Sequence, residues 1–198
     1  MDENLIPEEI STEHIVRDRW IDFRRSAYRF PDGRIFEPYY SFTRRDYVVI
    51  VASDDEGRLL CVRQFRQGIR KVTTEFPAGA IEAKDGEDPR DAALRAARRE
   101  LEEETGCVSE NWHFLMAIPS SATISDNIAY LFSAENCRKV SDQHLDEMEL
   151  LRVRKYTPAE LSSLISRGEF QQSVHLLAWL LKSSGFSSGA DSESAPAG

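Results

Sequence analysis

One short stretch, residues 75–107, constrains the fold of this chain more than any other. It contains the run RELEEETG, which places four glutamates within five positions. Asp88 suits a helix N-cap, Pro89 the first helical position and Gly106 a left-handed C-cap, so the sequence predicts a helix over about 89–105. One side of this helix is apolar and is predicted to be buried: Ala93, Ala96, Ala97 and Leu101.

Three of the glutamates share one face of the predicted helix. Glu100, Glu103 and Glu104 stand at i, i+3 and i+4, where like charges repel by about 0.2–0.5 kcal/mol per pair. An acidic run by itself usually means a solvated helix face. Here the opposite side is apolar and a Phe-Pro-Ala-Gly turn, residues 76–79, precedes the helix. Clustered carboxylates beside a turn with a backbone carbonyl suit Mg²⁺ or Mn²⁺.

The same stretch resembles the Nudix box, whose pattern is G-x5-E-x7-R-E-U-x-E-E-x-G-U with U apolar. From Arg99 onward the chain reads RELEEETGC and matches every fixed position of the second half. The first half differs from the pattern. Seven residues instead of five separate Gly79 from Glu87, and Glu87 stands twelve positions before Arg99 instead of eight. The four extra residues make about 1.1 helical turns. Asp91, at the eight-residue offset, is then the candidate for the early acidic position.

Length and composition indicate one globular domain with or without an extension. The chain has 198 residues, 41% of them apolar, and no apolar run that approaches a membrane span of about 18 residues. The acidic start MDENLIPEE does not look like a signal peptide, so a cytoplasmic protein is expected. A net charge of −9 argues against nucleic-acid binding. The three scattered cysteines are predicted to be reduced and structural: Cys61, Cys107 and Cys137.

The remaining patterns predict a mixed β-sheet with helices packed on it. A leading β-hairpin is expected from two strands, 14–30 and 34–42, joined at a Pro-Asp-Gly turn. Further strands are predicted at 46–53, 58–65, 73–76, 112–118, 128–134 and 150–156. A capping box opens a helix at Thr157 that ends near Gly168, and a last helix is predicted over 171–182. His175 within it is read as a packed structural residue. The predicted divisions are an N-terminal β-extension 1–44, a main domain 45–182 and a disordered tail 183–198.

Segments outside the box resemble those of one particular branch of the family. Gln64-Phe65-Arg66, the EFPAG segment at 75–79 and the LDEMELLRV segment at 145–153 are similar to those of ADP-ribose and nucleoside-diphosphate-sugar pyrophosphatases. The resemblance implies an α/β Nudix fold, that is, an α/β/α sandwich with a mixed β-sheet and an N-terminal β-hairpin extension. It also implies a homodimer in which the extension contributes to the partner's site.

Roles for the acidic residues follow from diphosphate chemistry and from the resemblance. Hydrolysis of a diphosphate needs metal ions that neutralise the phosphates and a base that activates water. Glu100 and Glu104 are the expected metal ligands, with Glu103 as a further ligand, and the resemblance adds the carbonyl of Ala78. It favours Glu147 as the base. Two alternatives for the base stay open: Glu149 and Glu103.

The other candidate residues are supporting or substrate-binding. Arg99 is expected to brace the carboxylates or the adjoining turn, although spacing alone equally allows a simple surface arginine. The early acidic position falls to Glu87 or Asp91. Arg66 and Glu75 are candidates for binding the phosphate and the base or sugar, or else form a weak strand-edge salt bridge. Tyr40 is a candidate for stacking on the nucleobase, although such aromatic residues are more often in a core.

The expected function is metal-dependent hydrolysis of ADP-ribose or a nucleoside-diphosphate sugar to a nucleoside monophosphate and a sugar phosphate. Two rivals remain: a Nudix-fold module that binds a nucleotide without cleaving it, and a Nudix enzyme for dinucleoside polyphosphates or nucleoside triphosphates. A pure binding module would be expected to lose metal carboxylates. All three of the clustered glutamates are present here, which favours an enzyme.

Overall fold

A computed structural model describes residues 5–145 and 150–186 of the chain. The chain divides into two compact units. The N-terminal unit consists of residues 1–45 together with 119–128, and the main unit consists of 46–118 and 129–198. No helix in the described part of the chain is long and apolar enough to cross a membrane.

The N-terminal unit contains a three-stranded antiparallel sheet in the order β1-β2-β3. Its strands are β1 Glu8–Arg17, β2 Asp22–Arg29 and β3 Ile35–Thr43. The predicted single strand over 14–30 is therefore wrong, and the predicted hairpin gains a third strand. The break arises because the Asp18 carboxylate accepts hydrogen bonds from the N–H groups of Trp20 and Ile21, at 2.7 and 3.0 Å, and so closes a turn.

The main unit is built on a seven-stranded mixed sheet. Five strands run in the order β12-β5-β4-β10-β9, while β6 pairs with β5 and β7 with β4. The β4–β10 pair is parallel and the other described pairs with β4 and β5 are antiparallel. The strands are β4 Tyr47–Ser53, β5 Leu59–Arg66, β6 Lys71–Glu75, β7 Ala78–Ala80, β9 Asn111–Pro119, β10 Ile128–Glu135 and β12 Leu151–Tyr156. A separate two-stranded sheet pairs β8 Cys107–Val108 with β11 Arg138–Lys139.

Helices cover both faces of the main sheet. They are α1 Pro89–Thr105, α2 Pro158–Ser166 and α3 Ser173–Ser183. Strand β4 shows how the layers form, because successive side chains point to opposite faces. Val48 and Ile50 share a buried cluster with α1, whereas Val49 and Val51 share one with α2 and α3. This two-sided burial gives the α/β/α sandwich that the sequence predicts.

Several local predictions are confirmed, and the predicted start of the C-terminal tail is corrected. Thr157 and Glu160 form the predicted capping box of α2. The three cysteines are free and buried, and burial raises the pKa of Cys137 to about 12. The disordered tail was predicted from residue 183, but α3 ends at Ser183 and the described chain continues to 186. Residues 187–198 lie outside the described part.

Candidate active site

Helix α1 has the ends that the sequence predicts. The Asp88 carboxylate accepts hydrogen bonds from the N–H groups of Arg90 and Asp91, at 3.1 and 2.9 Å, and Pro89 occupies the first turn. Gly106 ends the helix with φ 69°, in the left-handed region. Because both ends are fixed by local chemistry, the register of the carboxylates along the helix is fixed as well.

Two of the glutamates are buried against β7. Glu100 and Glu104 are 8% and 2% exposed, which is rare for carboxylates unless they are paired or bind a metal. The Glu104 Oε2 atom accepts a hydrogen bond from the N–H of Ala78 at 3.0 Å. A Cβ atom at Gly79 would collide with the Glu100 carboxylate. The glycine of the FPAG turn therefore allows the helix carboxylate to approach the strand backbone.

Arg99 joins the carboxylates to the segment before the helix. Its Nη1 atom donates to Glu100 Oε1 at 2.7 Å and to Glu103 Oε2 at 2.9 Å. Its Nη2 atom donates to the Ala80 carbonyl at 2.9 Å and to Asp85 Oδ2 at 3.1 Å. Burial alone would lower the pKa of Arg99, but the surrounding carboxylates raise it, so the guanidinium remains charged. Arg99 thus braces the carboxylates and the adjoining turn.

The acidic partner of Arg99 before the helix is Asp85, which the sequence prediction missed. Asp85 is 5% exposed, and hydrogen bonds from Arg99 and Glu82 outweigh the effect of burial and lower its pKa. The two predicted candidates for this position, Glu87 and Asp91, are exposed. Five residues separate Gly79 from Asp85, as in the box pattern, with Asp in place of Glu, and this spacing is the sequence signal for Asp85. The extra residues therefore lie between Asp85 and Arg99.

The donor set suits a divalent metal. Among residues 5–145 and 150–186, no three His, Cys, Asp or Glu side chains already meet at metal-binding distances. The three helix glutamates nevertheless supply hard oxygen donors on one rigid face, of the kind that Mg²⁺ and Mn²⁺ prefer. Arg99 holds Glu100 and Glu103 together by charge. Glu104 is held at the Ala78 backbone.

Arg66 and Glu75 form a partly buried, bidentate ion pair rather than a loose strand-edge pair. The Arg66 Nε atom lies 3.0 Å from both Glu75 carboxylate oxygens, and Nη2 lies 2.5 Å from Oε2. The Glu75 side chain is fully buried and the Arg66 side chain is 35% exposed. Burial would raise the pKa of Glu75, but Arg66 outweighs this effect and lowers it. The arginine is therefore held in one orientation with part of its surface accessible.

Residues at the start of helix α3, which are far away in the sequence, bind Glu75 and its neighbour. Gln172 Nε2 donates to Glu75 Oε1 at 3.3 Å, and the Thr73 hydroxyl also donates to that oxygen. His175 Nδ1 accepts a hydrogen bond from the N–H of Phe76 at 3.1 Å, so the proton of the neutral ring sits on Nε2. His175 is 4% exposed and packs within the core, as predicted.

We expect His175 to make the stability of the fold depend on pH. Burial depresses its pKa to about 4, although Glu75 opposes this shift. Because the folded pKa lies below the unfolded value of about 6.5, the stabilisation is present above that pH and is lost as the pH falls toward 4. In His175→Asn, the free energy of unfolding in urea should change less between pH 6.5 and pH 4. Equal slopes for the variant and the wild type would contradict this prediction.

A second segment packs on the C-terminal end of α1. Val140 and Ser141 donate their N–H groups to the Gly106 carbonyl at 2.8 and 3.2 Å. Gln143 Nε2 donates to the Glu104 carbonyl at 2.6 Å, and the N–H of His144 donates to the Glu103 carbonyl at 2.9 Å. These bonds satisfy helix-end carbonyls that have no partner within the helix. They also tie residues 140–144 to the helix that carries the glutamates.

Gly106→Ala should destabilise the fold by about 1–3 kcal/mol, because the left-handed conformation is strained for alanine. A Cβ at this position would also collide with the Ser141 carbonyl. Gly57→Ala is the matched control, because Gly57 has φ 74° but nothing within 4 Å of an added Cβ. Thermal or urea unfolding should show the larger loss for Gly106→Ala. Similar losses in the two variants would mean that the close approach at Gly106 is unimportant.

Of the remaining site residues predicted from the sequence, two are not described by the structure and one lies in the N-terminal unit. Glu147 and Glu149, the candidates for the base, lie outside the described residues. Tyr40 lies in the N-terminal unit and stacks on Phe23, with ring centroids 5.7 Å apart. Its neighbour Tyr39 instead lines a cavity of about 540 Å³ in that unit, together with Tyr28, Phe30, Phe36 and Arg24.

Comparison with known proteins identifies the family. Residues 43–180 match the NUDIX domain. A protein of Bacillus subtilis (strain 168) named ADP-ribose pyrophosphatase is 30% identical over 161 residues, which cover 81% of this chain and 83% of that protein. A protein of Bacillus methanolicus named methanol dehydrogenase activator is 30% identical over 170 residues, which cover 85% of this chain and 88% of that protein.

A solved structure supports the same fold. The crystal structure of an ADP compounds hydrolase superposes with a TM-score of 0.76 at 23% sequence identity, covering 90% of this chain and 93% of the other. The family match spans both the strands of the main sheet and the helix with the glutamates. Nudix pyrophosphatases generally need a divalent metal, in keeping with the donor set on α1. The chain therefore belongs to the Nudix family.

Proposed function

We propose that this protein hydrolyses the diphosphate bond of ADP-ribose or a related nucleoside-diphosphate sugar. The products are a nucleoside monophosphate and a sugar phosphate. The observation that carries the proposal is the cluster of Glu100, Glu103 and Glu104 on one face of α1, with Arg99 bonded to two of them. The name of the Bacillus subtilis relative supports the choice of substrate class.

In this proposal Mg²⁺ or Mn²⁺ is held by Glu100, Glu103 and Glu104, and by the carbonyl of Ala78. The bound metal supplies positive charge that neutralises the diphosphate. Arg99 pairs with both Glu100 and Glu103 and so orients the two side chains on one face of α1. Glu104 is oriented by the N–H of Ala78.

Arg66 is proposed to bind a substrate phosphate. Its bidentate pair with Glu75 fixes the guanidinium, which lowers the entropy that binding would otherwise cost. Glu75 then acts mainly on Arg66, because its carboxylate is fully buried. The base that takes a proton from water is proposed to be Glu147, with Glu149 and Glu103 as alternatives.

The rival reading is a regulatory module, and the name of the Bacillus methanolicus relative is the observation that favours it. A module that only binds a nucleotide has no need for the full set of metal-binding carboxylates. Glu100 and Glu104 are both retained and buried here. Catalysis is therefore the preferred function.

The N-terminal unit is proposed to form a homodimer and to contribute to the substrate site of the partner subunit. Its sheet buries few side chains of its own, and Ser26 and Ala27 are the buried residues of its three strands. A sheet with so little core needs a partner surface for stability. Light scattering after size-exclusion chromatography would give the mass of a dimer. A monomer at all concentrations would contradict this part of the proposal.

The function is tested by incubating the purified protein with ADP-ribose and Mg²⁺ or Mn²⁺ and separating the products by chromatography. We expect AMP and ribose 5-phosphate, and no products after removal of the metal with EDTA. Restored activity on adding back Mg²⁺ or Mn²⁺ distinguishes metal loss from denaturation. Tight binding of ADP-ribose without cleavage under all these conditions would favour the regulatory module.

A further inference from the structure

We propose that Arg95 and Gly86 are positioning residues for the acidic cluster of α1. Gly86 leaves room for Arg95, and Arg95 binds the backbone of Asp85. Asp85 binds Arg99, which in turn binds Glu100 and Glu103. The inference rests on the proposed function, because it concerns how the metal-binding carboxylates are kept in place. Neither Arg95 nor Gly86 falls at a fixed position of the box pattern.

The segment between β7 and α1 forms a compact turn around Asp85. Residues Ala83–Asp85 make one turn of 3-10 helix, and the N–H of Asp85 donates to the Glu82 carbonyl at 2.9 Å. The N–H of Glu82 donates back to Asp85 Oδ2 at 2.8 Å. The Asp85 carboxylate therefore serves two purposes, since it closes this turn and receives Arg99.

Two arginines one helical turn apart both donate to Asp85. Arg99 reaches the carboxylate, at 3.1 Å to Oδ2 and 3.4 Å to Oδ1, whereas Arg95 Nε donates to the backbone carbonyl. Like charges at i and i+4 on a helix repel by about 0.2–0.5 kcal/mol. Asp85 between them offsets this repulsion. The two arginines therefore bind the side chain and the backbone of the same residue.

Gly86 provides the room for Arg95. Its φ of 115° and ψ of −177° lie in a region that is essentially restricted to glycine. A Cβ atom there would collide with Arg95 Nη2 and lie 3.2 Å from Cζ. The backbone conformation therefore requires glycine, and an added Cβ would displace the Arg95 guanidinium from the segment.

This chain needs the extra contact because its connection is longer than in the box pattern. Thirteen residues separate Asp85 from Arg99, whereas the pattern has seven between its first Glu and the Arg. Aspartate is also one methylene shorter than glutamate. A longer connection has more conformational freedom to lose. Arg95 restrains the backbone at the one residue whose carboxylate must reach Arg99.

The test compares Arg95→Met with Arg98→Met by measuring Mn²⁺ affinity of the substrate-free protein by calorimetry. Both variants lose one positive charge from α1, and Arg98 is exposed and has no described bond to residues 82–88. We expect Arg95→Met to weaken Mn²⁺ binding about tenfold, as for other residues that orient metal ligands. Arg98→Met should stay within about twofold of the wild type, since it removes only the general charge.

Two further variants separate positioning from folding. Gly86→Ala should weaken Mn²⁺ binding as Arg95→Met does, with thermal unfolding measured for each. In an Asp85→Ala background, Arg95→Met should cause no further loss of Mn²⁺ affinity, because the Asp85 carboxylate that binds Arg99 is already absent. Additive losses, equal losses in the Arg95 and Arg98 variants, or a lower melting temperature with unchanged affinity would each overturn the inference.

The two proposals can fail separately. A wild-type protein that binds Mn²⁺ but cleaves no nucleotide would refute the proposed hydrolysis, while the comparison of Arg95→Met with Arg98→Met would still decide the positioning role. A wild-type protein that hydrolyses ADP-ribose, together with unchanged Mn²⁺ affinity in Arg95→Met and Gly86→Ala, would refute the positioning role alone. A wild-type protein that binds no Mn²⁺ would refute both.

Discussion

Replacing Glu104 by Gln should lower kcat for ADP-ribose by on the order of a hundredfold or more. A neutral amide is a poor ligand for a hard dication, so the variant loses metal at the diphosphate. The amide oxygen can still accept the 3.0 Å hydrogen bond from Ala78, so the fold should be kept. Steady-state rates at the Mg²⁺ concentration that saturates the wild type, with circular dichroism as a check of folding, measure the effect.

Glu102→Gln is the matched control for this experiment. Glu102 lies on the same helix and carries the same charge, but it is exposed whereas Glu104 is 2% exposed. Its replacement should leave kcat within about twofold, since a surface charge has only a weak effect at a distance. Near-normal turnover in Glu104→Gln, or an equal loss in both variants, would defeat the assignment of the metal ligands.

Glu147→Gln should lower kcat by about 10²–10⁴-fold while leaving Mn²⁺ affinity nearly unchanged. A general base acts in the chemical step, whereas a ligand acts in metal binding, so the two measurements separate the roles. The pH dependence of kcat should also lose its acidic limb in this variant. Rates with ADP-ribose and calorimetric Mn²⁺ titrations would be measured on the same preparation.

Two variants at nearby acidic residues serve as a control and as a test of the alternative base. Asp142→Asn removes an acidic side chain that is 97% exposed and lies five residues before Glu147. This replacement should have little effect on kcat or on Mn²⁺ affinity. Glu149→Gln tests the alternative base directly. If Glu149→Gln is the inactive variant and Glu147→Gln is not, the base lies two residues later than proposed. If both remain active, Glu103 becomes the candidate.

The parts of the fold that sequence predicted well are those fixed by local chemistry. The ends of α1 follow from Asp88, Pro89 and Gly106, each of which acts within one turn of its own position. The two-sided burial of β4 follows from its apolar run. The strand break at Asp18 was also local, but an Asx turn is easily missed between two strand-like runs.

The parts that sequence did not predict depend on distant contacts or on an altered pattern. Gln172 and His175 reach Glu75 and Phe76 from nearly a hundred residues away, so no local signal shows that the Glu75 carboxylate is buried. Residues 119–128 join the N-terminal unit for the same reason. The box pattern does not point to Asp85 when the early acidic position is taken as a glutamate or is counted back from Arg99, because the insertion in this chain lies between Asp85 and Arg99.

The most direct test of the account is a comparison of kcat/KM across nucleotides at fixed Mg²⁺. The panel contains ADP-ribose, GDP-mannose, UDP-glucose, NADH, a dinucleoside polyphosphate and the nucleoside triphosphates. We predict that a nucleoside-diphosphate sugar, with ADP-ribose first, is cleaved with the highest kcat/KM, and that Glu104→Gln loses this activity. A panel in which triphosphates are the best substrates, or in which Glu104→Gln cleaves ADP-ribose as fast as the wild type, would contradict the account.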